Sequence, residues 1–191
     1  MDTEVYVKED KFMVYILLAP GFEEAEALVP ADLLRRAGLE TQLVSVTGEP
    51  VTGSHGITVI ADTVLDKLDL FGADMIVLPG GGLGVKNLGA EPAVEKLVRE
   101  AVERDLWVAA ICAAPTLLGK WGLLEGKKAI CYPGMEDQLT GALVQTAPGE
   151  IKDGRIITGR AAGSAFDFGA ELIEALLDRA AADKVLEAIC Y

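Results

Sequence analysis

The sequence is short of cations, of histidine and of cysteine, and each shortage removes a class of function. Only 17 Lys and Arg stand against 30 Asp and Glu, a formal net charge of −13. A field of that sign repels phosphate backbones and anionic lipid, so neither nucleic acid nor a membrane surface is an expected partner. With one histidine, His55, a three-histidine metal centre is excluded, and the cysteines at 112, 131 and 190 lack zinc spacing, so no metal is expected. An odd, scattered set of thiols suits a reducing compartment better than a disulfide framework, which points to the cytoplasm. The longest apolar runs, such as 14–20 and 106–115, fall well short of the ~20 residues of a membrane helix, and no basic-plus-apolar leader opens the chain.

What remains is ordinary globular composition, 51% hydrophobic and 25% charged over 191 residues. A chain of this size buries roughly 70% of its extended surface and falls in the range of one domain. Residues 1–12, MDTEVYVKEDKF, are mixed in charge and precede a sharp apolar onset at Met13. They read as an N-terminal extension or arm, an edge strand through Val5-Tyr6-Val7, or residues ahead of a start at Met13; 13–191 reads as a single α/β domain.

From Met13 onward, short apolar runs alternate with amphipathic helical stretches, the signature of a parallel sheet covered on both faces. Strands are expected at 13–18, 41–46, 57–61, 73–78 and 106–111, and near 128–132 and 155–158. Helices are expected at 23–37, 92–105, 114–121, 164–179 and 182–189. Pro30 inside the first helix should cost a bend. The fully apolar Leu106-Trp107-Val108-Ala109-Ala110-Ile111 suits a central strand.

Ligands of open parallel sheets bind beyond the carboxyl ends of the strands. Three segments are placed there: Gly21-Phe22-Glu23-Glu24-Ala25-Glu26, Pro79-Gly80-Gly81-Gly82 and Ile111-Cys112-Ala113-Ala114-Pro115. A carboxylate, free backbone N–H groups and a thiol suit carbonyl chemistry. Cys112 sits as in a nucleophile elbow, with Ala in place of the usual small glycines at both flanks, and a following helix N-terminus would lower its pKa. The plain alternative is a buried cysteine acting as a small hydrophobe. Glu23, Glu24 and Glu26 could be solvated charge at a helix start, which suffices for Glu24; Glu26 is better placed to face the sheet beside the thiol and exchange protons with it. The run Gly80-Gly81-Gly82-Leu83-Gly84 fits neither a dinucleotide fingerprint nor a P-loop, leaving N–H groups aimed at an oxyanion, or a flexible turn. His55, in Thr52-Gly53-Ser54-His55-Gly56, reads as a solvated loop histidine and a candidate pocket residue.

Taken in order, GFEEAE, LPGGG and AICAAP resemble the ThiJ/PfpI superfamily, and within it the Parkinson-associated glyoxalase/deglycase branch. Leu34-Arg35-Arg36-Ala37-Gly38, Asn87-Leu88, Ile157-Thr158-Gly159-Arg160 and Gly163-Ser164-Ala165-Phe166 extend the likeness over nearly all of 13–180. The resemblance implies a flavodoxin-like, doubly wound fold, a homodimer, no cofactor, Cys112 as an oxidation-prone nucleophile hydrogen-bonded to a protonated Glu26, and the Gly81 and Ala113 amides as oxyanion donors. The implied substrates are 2-oxoaldehydes such as methylglyoxal, taken to lactate without glutathione, or early glycation adducts on amines. Glu23, Gly80, Gly82, Tyr132 and His55 would line the pocket. Two departures stand out. Protease-like members carry His after the cysteine, where this chain has Ala113, which argues against peptidase activity. Some members place His where this chain has Tyr132, and a tyrosine is no base near pH 7. A redox sensor acting through oxidation of Cys112 is the alternative, and a glutamine amidotransferase would need His55 to complete its set.

Overall fold

The computed structural model describes residues 12–48 and 50–191. The expectations for 1–11, including the Val5-Tyr6-Val7 strand, lie outside the described residues. The elements run in chain order as β1 (Met13–Leu18), α1 (Glu24–Arg36), β2 (Glu40–Ser45), β3 (Val51–Thr52), β4 (Thr58–Val59), β5 (Thr63–Val64), β6 (Met75–Leu78), α2 (Gly82–Ala90) and α3 (Pro92–Glu103). They continue as β7 (Trp107–Ile111), α4 (Pro115–Lys120), β8 (Lys128–Ala129), β9 (Leu143–Val144), β10 (Glu150–Asp153), β11 (Ile156–Gly159), α5 (Ala165–Leu176) and α6 (Arg179–Ala188).

Seven strands form one sheet in the order β10-β11-β7-β6-β1-β2-β5. Every neighbouring pair is parallel except β10 with β11. The chain passes from β1 to β2 on one side and returns to β6 on the other, which makes a switch point between β1 and β6 at the strands' carboxyl ends. This is the doubly wound, flavodoxin-like α/β arrangement.

The period-two side-chain alternation of strands divides the core in two. Val14, Ile16 and Leu18 of β1 pack with Leu33 and Leu34 of α1 and Phe168 and Ile173 of α5. Tyr15 and Leu17 face the other way, with Leu88 of α2, Val94 and Val98 of α3 and Leu118 of α4. Among the described residues Cys112 is the one partly buried hydrophobic side chain packed against both clusters. No helix of the described residues is long and apolar enough to cross a membrane.

Three local departures from the sequence pattern have physical reasons. The strand expected at 57–61 is instead a small hairpin, β3 with β4, outside the main sheet. Its apolar residues mislead because Ile57 and Ile60 are 53% and 76% exposed. The glycine-rich turn after β6 runs directly into α2, whose glycines lower helix propensity but whose Val85 and Leu88 are buried. The strand near 128–132 shortens to β8, which pairs with β9 outside the main sheet.

Candidate active site

Glu26 lies in the first turn of α1, and that turn is tied to the loop after β6: Glu23 N donates to Gly80 O at 3.0 Å and Gly84 N to Gly21 O at 3.0 Å. Glu26 is 1% exposed. Its Oε2 accepts the Gly80 N–H at 2.9 Å, and its carboxyl also meets the Ala162 N–H and the Cys112 thiol. An unpaired carboxylate could not be held at this depth, and here three groups share it.

Cys112 directly follows β7 with φ of +66°, a left-handed backbone that an L residue adopts only when its surroundings hold it there. The surroundings are two hydrogen bonds: Cys112 N donates to Gly159 O of β11 at 2.9 Å, and Tyr132 N donates to Cys112 O at 2.8 Å. The side chain is thereby turned to the sheet's carboxyl edge, where the Gly81 and Ala113 N–H groups point at sulfur. Glycine is required opposite. A Cβ at Gly80 would overlap Glu26 Oε2 and come within 2.6 Å of Cys112 Cβ, and Gly81 adopts φ of +89° against the Gly21 carbonyl.

Burial pushes the Glu26 carboxyl up to about 7, with the Glu23 charge adding to the rise and the hydrogen bonds from Cys112, Gly80 and Ala162 opposing it. The Cys112 thiol is also raised, by burial first and by the Glu26 carboxylate next, although the Gly81 and Ala113 amides pull it down. The expected lowering by the helix terminus is therefore overridden: α4 is short, and the neighbouring carboxylate and the loss of water count for more. The two groups titrate as a pair. The carboxyl gives up its proton first, near 7, and the carboxylate it leaves, together with burial, raises the thiol further against the pull of the two amides.

The remaining sequence candidates separate into those beside this pair and those away from it. Gly80 and Gly81 border it, and Tyr132 is linked through its amide but leaves its side chain 49% exposed. Gly82 is the exposed first residue of α2. Glu23 acts on Glu26 through charge and accepts from Ser54 Oγ at 3.0 Å. His55 has a 70% exposed side chain and its partners are Ser54, Glu23 and Glu24, with Nδ1 3.1 Å from Glu24 Oε2.

Glu24 corrects the solvated-charge expectation. It is 6% exposed and accepts the His55 N–H at 2.8 Å and the Ile57 N–H at 3.3 Å, fastening the β3–β4 turn to α1. Burial opposes its ionisation, yet these bonds and that from the His55 ring hold its carboxyl down at about 2. Glu23, Glu24 and His55 place ligand atoms within 4.8 Å of one another, the one such group among the described residues able to hold a metal ion, although hydrogen bonds within the turn already engage them. Cys131 is 2% exposed and its thiol is raised to about 11 by burial and the nearby Glu136 and Asp137 charges, the setting of an inert structural thiol.

Sequence reasoning missed the contribution of the segment after β11. Gly159 supplies the carbonyl that holds the Cys112 backbone, and Ala162 supplies an amide to Glu26. The available signal was the small-residue run Gly159 to Gly163 directly after an apolar strand, broken only by Arg160.

Comparison with known proteins bears on this geometry. The DJ-1/PfpI family pattern matches residues 13–175. Protein dj-1beta of Drosophila melanogaster is 35% identical over 176 residues, covering 91% of this chain and 94% of its own. Protein DJ-1 homolog B of Arabidopsis thaliana is 39% identical over 174 residues, and there the match spans 90% of this chain but 40% of the relative. A glutathione-independent glyoxalase, DJR-1.2 of Caenorhabditis elegans, is 29% identical over 92% of this chain and 94% of its own. The deglycase PH1704 of Pyrococcus horikoshii is 31% identical over 85% of this chain and 98% of its own. The crystal structure of Drosophila DJ-1beta superposes with a TM-score of 0.90 at 34% identity, over 94% of this chain and 98% of the other. A thiol on a left-handed elbow at the sheet's carboxyl edge, a buried carboxyl beside it, and a match that runs through both place this chain in the DJ-1/PfpI family.

Proposed function

We propose that the protein is a cofactor-independent enzyme of small reactive carbonyl compounds, with Cys112 as nucleophile and Glu26 as its proton carrier. The observation that carries this is the pairing of the Cys112 thiol with a carboxyl raised to about 7, the range in which a group both gives and takes protons near neutrality. The family relatives named as a glyoxalase and a deglycase support the same chemistry.

With methylglyoxal, Sγ adds to the aldehyde carbon. A C–S bond forms as the thiol proton passes to the Glu26 carboxylate, the carbonyl π pair moves to oxygen, and that oxygen takes the proton from Glu26, giving a hemithioacetal. The Gly81 and Ala113 N–H groups would stabilise the developing oxyanion. Glu26 then takes the proton from the former aldehyde carbon and returns it to the adjacent carbon, while the hemithioacetal's hydroxyl proton passes to the former ketone oxygen, which moves the oxidation level and leaves a thioester. Water cleaves the C–S bond, releasing lactate and restoring the thiol. Early glycation adducts on amines share the first intermediate, with the amine as leaving group. Three free cysteines fit the reducing cytoplasm, where the enzyme would work as a homodimer.

A second reading, a redox sensor in which Cys112 is oxidised to sulfinate, is favoured by the same two amides, which suit sulfinate oxygens as well as an oxyanion. Lactate measured from methylglyoxal without glutathione separates the two. Formation by the wild type and loss in Cys112→Ala and Glu26→Gln supports the enzyme. Lactate no higher than the buffer blank leaves the sensor.

A further inference from the structure

Methylglyoxal is a three-carbon molecule, yet the residues that follow Cys112 and Gly81 in the chain also line a groove between α2 and α4. Gly82 and Lys86 line one wall, Ala113, Thr116 and Lys120 the other, and Gln138 lies at its margin. Ala113 follows the nucleophile directly, and Gly82 follows the Gly81 whose amide points at sulfur. Lys86 lies one turn, about 6 Å, further along α2. The groove therefore abuts the backbone that carries Cys112 and Gly81, without including either among its lining residues.

Its charge is unlike that of the rest of the molecule. The chain carries −13 overall, but the charged residues lining this groove are two lysines and no acid. Arg35, Arg36, Arg99, Arg104, Lys152 and Arg179 are each matched with a carboxylate. Lys86 and Lys120 have no ion-pair partner among the described residues. Glu136 and Asp137 of the neighbouring turn do not line the groove, and Glu136 is engaged with the Gly134 N–H at 2.7 Å. Two lysines and no acid lining one groove of a chain of net charge −13 form a local well for an anion, and compact lysine charges suit a carboxylate or phosphate.

We propose that this groove is a subsite for the anionic end of a carbonyl substrate larger than methylglyoxal, a 2-oxoaldehyde whose carboxylate or phosphate lies between Lys86 and Lys120 while its aldehyde carbon reaches Cys112. The proposal rests on the carbonyl-enzyme reading above and deepens it to a substrate class.

Phenylglyoxal and 4-carboxyphenylglyoxal share one reacting group and differ in a single distant carboxylate, so the ratio of their kcat/KM values reads the subsite alone. In Lys86→Met/Lys120→Met the preference for the carboxylated compound falls about tenfold, the size expected for losing two exposed charge contacts, and Lys86→Arg/Lys120→Arg retains it. A ratio that stays within twofold in the double Met variant overturns the proposal. Should neither compound turn over, the enzyme reading fails separately. The same ratio is then taken from the concentrations that halve iodoacetamide alkylation of Cys112, and it is judged by the same two outcomes.

Discussion

Gly80 donates its backbone N–H to Glu26 Oε2 at 2.9 Å, and no side chain fits at Gly80 between that oxygen and Cys112 Cβ. Gly80→Ala must therefore push the thiol and the carboxyl apart or shift the loop after β6. The expected result is a loss of ~1–3 kcal/mol in urea denaturation, in keeping with overpacking of a filled site, together with at least about a tenfold fall in lactate formation. A Gly80→Ala protein with wild-type stability and turnover would show that the loop yields freely.

Glu26 makes stability depend on pH with a sign opposite to most carboxylates. Its folded value of about 7 lies above its ordinary 4.5, so the native state holds this proton longer than the unfolded chain does. The contribution is complete below pH 4.5 and is lost as pH rises through 7, by up to about 3 kcal/mol. Glu26→Gln should remove that slope. Urea midpoints at pH 5 and pH 8 test it through the difference between the two proteins, because the His55 contribution, which also declines as pH rises, is common to both.

Alkylation of Cys112 should report the pair rather than the thiol alone. In the wild type the rate of iodoacetamide modification, followed by mass spectrometry of the Cys112 peptide, stays low through neutrality and rises only at alkaline pH, because burial and the Glu26 carboxylate raise the thiol. In Glu26→Gln that carboxylate is gone, and the rise is expected at lower pH than in the wild type. A rise at the same pH in both proteins would sink this account of the carboxylate.

Glu24 fastens a turn rather than serving the sulfur. Its folded value of about 2 lies below the ordinary 4.5, so its contribution is present above pH 4.5 and lost as pH falls through 2. Glu24→Ala leaves the His55 and Ile57 amides without their acceptor and is expected to cost about 1–3 kcal/mol at neutral pH. Hydrogen exchange at those two amides should quicken while exchange in β7 stays slow, and equal quickening in both places would contradict a local fastening.

Much of the fold was legible because strands such as β1 and β7 are apolar throughout and bounded by turn residues, which only a sheet covered on both faces explains. Cys112 and Glu26 were legible from their place after strands that end together. What escaped depends on contacts between distant segments. The burial of Glu24 comes from amides of a turn thirty or so residues away, and nothing in Glu23-Glu24-Ala25-Glu26 separates it from solvated charge. The start of α2 at Gly82 was hidden by glycines whose helical state is settled by buried Val85 and Leu88. The raised thiol pKa was hidden for the same kind of reason, since the sequence places a short helix after Cys112 but does not reveal how close the carboxylate lies or how deeply the thiol is buried.

Cys112 packs against both hydrophobic clusters, so this one residue is shared by the two helical layers. A substitution that changes its volume is therefore felt on both faces of the sheet, and its cost cannot be absorbed by repacking one layer alone.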